Sequence, residues 1–144
     1  SFFGLSRQHT QAHLVRAVLE GVVYNLHAVF SALEQSGGRV TKLRASGGFA
    51  RSNLWQQMLA DIFDRTIEVP KVIESSAFGA AVLAFWALGE WDSLAQVEEK
   101  IAIAQTKTPI AKNVQRYRKI LPIYDALSVG FNEQYATLQK ATQD

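Results

Sequence analysis

The sequence predicts an α/β layer structure. Apolar residues recur at helical spacing over long stretches, two short β-branched segments lie between those stretches, and glycine pairs mark the joints. The resulting order, helix, strand, helix, strand, helix, argues for layers of helix and sheet and against a bundle. The chain has 144 residues and only 3 prolines, a length suited to one domain with a buried core.

The first helix runs from about His9 to Gln35. Leu14, Ala17, Val18, Gly21, Val22, Leu26, Val29 and Leu33 are assigned to its buried face. Arg16, Glu20, His27, Ser31 and Glu34 fall on the other, with Arg16 and Glu20 spaced to pair at i, i+4. Gly21 in mid-helix costs roughly 1 kcal/mol relative to Ala, which suggests a backbone passing close by. Ser36-Gly37-Gly38 ends the helix. Arg39 to Ala45 then reads as a strand that stops at Ser46-Gly47-Gly48. A second helix starts near Ser52 or Asn53 and sends Leu54, Trp55, Met58, Leu59, Ile62 and Phe63 inward. Thr66 to Val69 reads as a second strand, closed by Pro70. Glu74 to Leu88 forms a third helix rich in small residues.

Beyond Trp91, Ser93 to Lys100 reads as a short helix and Ile101 to Thr108 carries no clear pattern. From Ala111 onward, Val114, Tyr117, Leu121, Tyr124, Leu127, Phe131, Tyr135 and Leu138 follow steps of three and four. They mark a long C-terminal helix that Pro122 either kinks or divides.

Composition narrows the function classes. Lys+Arg number 15 and Asp+Glu 13, a net charge of +2, too small to make nucleic acid or an anionic membrane the default partner. Charged residues at 19% and hydrophobic residues at 48% describe a globular chain. The absence of cysteine excludes disulfides, a thiol nucleophile and a thiolate zinc site. The longest strongly apolar run, Ala77 to Leu88, is too short to span a bilayer, and SFFGLSRQHT puts no cationic stretch before its apolar residues. The expectation is a cytoplasmic domain.

Two segments are candidates for chemistry. The turn from Ser46 to Ser52 sits between a strand end and a helix start. Its adjacent glycines let a ligand approach the backbone, and the helix N-terminus that follows attracts anions. The same residues also suit a plain turn capped by Ser52 or Asn53; with Asn53 as cap, Gln56 completes a capping box. The second segment, Glu74-Ser-Ser-Ala-Phe-Gly-Ala-Ala, allows close helix contact, either in an interdomain joint or in an ordinary tight core.

The other polar groups are weaker candidates. His9 and His13 have zinc spacing, but Thr10 stands where a metalloprotease places its general base, and no third ligand follows. Lys112, Arg116, Arg118 and Lys119 around Tyr117 read as a solvated helix face. Asp61, Asp64 and Glu74 look like helix-end charges. No general base with an attached nucleophile is evident, so no catalytic residue and no metal ligand is assigned.

Together, GLSRQHTQAHLVRAVLEG, ASGGFARSNLWQQMLADIF and EVPKVIESSAFGAAVLAFWALGEW resemble the second domain of the FGGY carbohydrate kinases over residues 3 to 92. The resemblance implies part of an actin-like, ribonuclease-H-like ATPase fold, with long packed helices and a small sheet. It matches Gly47 and Gly48 to the family's adenosine-motif glycines and Ser52 to the position that contacts adenine, with Phe49 and Ala50 lining the same turn. Glu74, Ala77, Gly79 and Ala80 match a helix at the hinge between domains, and Leu14 to Gly21 match a structural signature helix.

The implied cofactors are ATP and Mg2+, the metal held mainly by an N-terminal sugar-binding domain. Neither that domain's aspartate base nor its Gly-Thr phosphate loop is present, so residues 1–144 are expected to be the C-terminal, adenosine-side domain. Phe49 and ESSAFGAA point to a gluconate kinase, with xylulose kinase as the alternative within the family. A homodimer of the parent enzyme is compatible with the resemblance. The competing reading is a non-catalytic α/β domain that binds a partner protein through its small-residue helix.

Overall fold

The computed structural model describes residues 1–142. Its elements are α1 (Gln11–Gly37), β1 (Leu43–Arg44), α2 (Asn53–Phe63), β2 (Ile67–Pro70), α3 (Ser75–Ala87), α4 (Val97–Lys100), β3 (Ile103–Lys107) and α5 (Ala111–Ala141). The sheet has three strands in the order β1-β2-β3, with β1 parallel and β3 antiparallel to β2. Helix α2 is the centre: it packs on α1 and α5 on one side and on β2 and β3 on the other. Met58, Leu59, Ala60 and Ile62 meet Val23, Tyr24, Ile67, Val69 and Tyr117 in one core.

Three departures from the sequence reading are local. Residues Arg39 to Ala45 pair with β2 over only two positions, Leu43 opposite Ile67 and Arg44 opposite Glu68, so most of that stretch is connector. Ile103–Lys107, which has no apolar alternation, is nonetheless a strand. Its backbone pairs with β2 from Ile67↔Lys107 to Pro70↔Ile103, with an irregularity between Val69 and Pro70, where proline cannot donate to the ladder. Leu54, expected inward, is 48% exposed.

The fourth departure reverses a whole helix. On α1 the buried residues are Val23, Tyr24 and Phe30, while Val18, Val22, Leu26, Val29 and Leu33 are exposed. The helix is apolar over so wide an arc that two stripes, one residue apart in register, compete for the core. The winning stripe is the one whose polar members find partners. Arg16 Nε donates to Glu20 Oε1 at 2.8 Å and its Nη2 to the Tyr117 hydroxyl at 2.8 Å. That hydroxyl donates to Glu20 Oε1, also at 2.8 Å, and burial first of all holds it neutral by raising its pKa.

By length and composition α1 could also cross a membrane; here it lies against α2. Among the described residues it is the one helix that long and apolar. Helix α5 continues through Pro122, giving up the bond its N–H would have made.

His27 lies on the packed side of α1, its ring 5.5 Å from Phe63 and 6.5 Å from Phe30. Burial lowers its pKa from the usual 6.5, against the opposing pull of Asp125 and Glu34. The stability from keeping this imidazole neutral is complete above pH 6.5 and is lost as pH falls from there towards the lowered folded value. The urea midpoint should therefore drop between pH 7.5 and 5.5, and His27→Phe should flatten that slope. An unchanged slope in the variant would remove His27 as its source.

Candidate functional site

The turn at residues 46–52 is built by backbone geometry. Gly47 takes φ +60, a left-handed conformation that glycine reaches without strain, and its N–H donates to the Ile73 carbonyl at 3.0 Å. A Cβ at Gly47 would meet nothing within 4 Å, so the space beside this backbone is open. Gly48 starts a 3-10 turn over Phe49–Arg51, and the side where a Cβ would stand faces the Trp55 ring at 3.7 Å. Phe49 and Trp55 stack with centroids 4.4 Å apart and planes tilted by 37°. Gly48 thus backs onto an aromatic pair, while Gly47 beside it is open.

Helix α2 begins immediately after. Its N-cap is Ser52, whose Oγ accepts from the Trp55 N–H at 3.3 Å, so the alternative with Asn53 as cap does not hold. Gln56 correspondingly does not complete a capping box. It is 1% exposed, donates through Nε2 to the Ala50 carbonyl at 2.7 Å, and accepts from Gln105 Nε2 at 2.9 Å. A buried amide between α2 and β3 therefore holds the middle of the turn. Sequence spacing could not show this, because Gln105 comes from the strand that carries no pattern.

Both candidate segments meet here. The Ser46 and Ser75 hydroxyls are hydrogen-bonded at 3.0 Å, and Arg51 Nη2 donates to Glu74 Oε1 at 2.7 Å. Helix α3 behind them buries only Val82 and exposes Leu83, Phe85, Trp86 and Leu88. A tight core helix is thereby excluded for the described chain. Ser75 and Ser76 do not cap α3, whose N-cap is Glu74.

The remaining candidates have local roles. Ser6 N–H donates to His9 Nδ1 and Thr10 N–H to His13 Nδ1, at 2.9 and 3.1 Å; both rings serve the entry to α1. Among the described residues no three His, Cys, Asp or Glu cluster as metal ligands would. Asp64 is a helix-end charge, in the left-handed C-cap of α2 and paired with Arg118 at 2.7 Å. Asp61 is not: it is 2% exposed and binds the start of α5. A larger hollow of about 1000 Å³ lies between α1 and α5. It contains none of Gly47, Gly48, Phe49 or Ser52, so it is separate from the turn.

The comparisons with known proteins decide what this arrangement belongs to. The model of the FGGY family of carbohydrate kinases, C-terminal domain, matches residues 1–88. The chain belongs to that family. It is 45% identical over 139 residues to a gluconokinase of Bacillus subtilis, covering 96% of this chain and 27% of that protein.

Among solved structures, a ligand-bound xylulose kinase from Lactobacillus acidophilus matches at TM-score 0.86 and 30% identity. It covers 96% of this chain and 28% of its own. A gluconate kinase from the same organism matches at 0.85 and 30%, with the same coverage. These likenesses support the part-domain fold, helix-rich with a small mixed sheet. The chain spans about a quarter of the length of the FGGY relatives it matches.

Proposed function

We propose that residues 1–144 are the C-terminal, nucleotide-side domain of a cytoplasmic, ATP-dependent FGGY carbohydrate kinase, with gluconate phosphorylated to 6-phosphogluconate as the reaction. The observation that carries the reading is the turn at Gly47 and Gly48. It is open on one side, floored by Phe49 and Trp55 on the other, and followed directly by the helix N-terminus at Ser52. Open backbone next to helix amides suits an anionic nucleotide, and the aromatic floor suits the flat face of a base.

Gluconate is favoured by the 45% identity to a gluconokinase, and xylulose by the most similar structure named above. The exposed apolar sides of α1 and α3 support further polypeptide of the parent enzyme packing there, including a sugar-binding domain. Phosphoryl transfer in such an enzyme depends on positioning and charge stabilisation more than on covalent chemistry. Residues of this chain would orient the nucleotide: Gly47 by leaving room, Gly48 by keeping charge and bulk out of the turn, Phe49 by flooring the base, and Ser52 by a polar contact. Mg2+ bound with the nucleotide would neutralise phosphate charge, held mainly by the parts of the parent enzyme outside residues 1–144.

Thermal unfolding of the chain with and without ATP tests the nucleotide assignment. A ligand at about 100 times its dissociation constant adds about 2.7 kcal/mol; as half a site the chain should bind ATP weakly, so millimolar ATP should give a smaller stabilisation and a free sugar none. No shift would favour the non-catalytic, partner-binding reading. The chain alone should phosphorylate neither gluconate nor xylulose; turnover by it would overturn the half-site reading. A screen of the full-length enzyme against sugars, polyols and sugar acids identifies the acceptor, with gluconate expected to give the highest kcat/KM.

A further inference from the structure

The glycine turn is fastened to the start of α3 by more than chain connectivity. Gly47 N–H reaches the Ile73 carbonyl at 3.0 Å, the Ser46 and Ser75 hydroxyls bond at 3.0 Å, and Arg51 pairs with Glu74 at 2.7 Å. Glu74 stands at the N-cap of α3, where an acidic side chain commonly receives amides of its own helix. It makes no such bond and reaches across to Arg51 instead. Helix α3 has few other attachments, with only Val82 buried and contacts running to the short turn Leu94–Gln96. Its alignment with the glycine turn is therefore set at its N-terminal end.

We propose that Arg51 and Glu74 are positioning residues for nucleotide binding: their ion pair locks the Phe49–Arg51 turn and the start of α3 into one unit, and that alignment sets nucleotide affinity. The inference rests on the assignment of the turn to the nucleotide made above. Both side chains are about two-thirds exposed, 67% and 66%, and a pair so exposed adds little to global stability. Its effect belongs in binding, with folding almost untouched.

The experiment is a charge-swap cycle in the full-length kinase, reading the KM for ATP, kcat and the urea midpoint for R51E, E74R and R51E/E74R. Each single variant should raise the KM for ATP by about three- to fivefold, leave kcat at saturating ATP within about twofold, and leave the urea midpoint in place. The double variant should return the KM to near the starting value. Single effects that merely multiply in the double variant, or a KM that does not move, would overturn the proposal. G48D, measured alongside, separates the two levels of inference. If G48D raises the KM and the swaps do not, the positioning role fails alone; if G48D also leaves it unchanged, the nucleotide assignment fails first.

Discussion

Replacing Gly48 with Asp in the full-length kinase should raise the KM for ATP by about ten- to a hundredfold while the protein stays folded. The backbone at Gly48 has φ −58 and ψ −36, ordinary right-handed values open to any L-residue. An added Cβ would meet Trp55 at 3.7 Å, a normal contact, so Gly48→Ala should bind ATP much as the wild type does. Asp differs by its charge. Two like charges 4 Å apart cost about 1 kcal/mol in water and about 4 kcal/mol at an effective dielectric of 20, and the nucleotide brings several negative charges to this turn. An unchanged KM for ATP in Gly48→Asp would show that the turn does not hold the nucleotide. Gly47 needs a different test, because its φ of +60 penalises any side chain by roughly 1 kcal/mol; Gly47→Ala reports on the shape of the turn.

The largest loss of stability should follow Asp61→Ala, about 3 kcal/mol by urea denaturation. The Asp61 carboxylate is buried on α2 and accepts three hydrogen bonds. Its Oδ1 takes the Ile110 N–H and Gln57 Nε2, each at 2.8 Å, and its Oδ2 takes Asn113 Nδ2 at 2.7 Å. Ile110 is the N-cap of α5 and has no side-chain cap of its own, so Asp61 supplies from a neighbouring helix what the local sequence lacks. A carboxylate at a helix N-terminus is also favoured by the helix dipole. Removing it deprives the Ile110 amide and the Asn113 side chain of this acceptor, while Gln57 Nε2 keeps the Thr108 carbonyl at 3.0 Å, and it loosens the docking of α5 on α2. Asp61→Asn keeps one acceptor oxygen and should cost about half as much. A loss below about 0.5 kcal/mol in Asp61→Ala would mean that α5 is held by its apolar contacts alone.

Asp61 also shows how far the sequence could be read. Its position near the end of α2 looks like that of a helix-end charge, and Asp64, three residues on, is one. What separates them is burial: α5 closes over Asp61, while Asp64 meets α5 through the exposed Arg118, and no local pattern encodes that. The same holds for Gln56. Its spacing from Asn53 fits a capping box, yet the fold places Ala50 and Gln105 around it and the amide serves the turn. Helix α1 is the clearest case. Both of its apolar stripes satisfy helical periodicity, and the choice between them depends on Tyr117, a hundred residues away, meeting Arg16 and Glu20.

The order of elements apart from β3, the boundaries of the long helices to within a few residues, the glycine turn and the family resemblance were all legible in the chain of 144 residues. They depend on local physics: helical spacing, glycine's freedom at φ +60, and a serine able to cap the helix that follows. The thin three-strand sheet, the reversed face of α1, the buried roles of Gln56 and Asp61, and the joining of residues 46–51 to 73–75 were decided only by tertiary structure. Each of these depends on a partner from a distant segment. A polar group that looks solvated beside its sequence neighbours becomes a fixed structural element once its partner has folded against it.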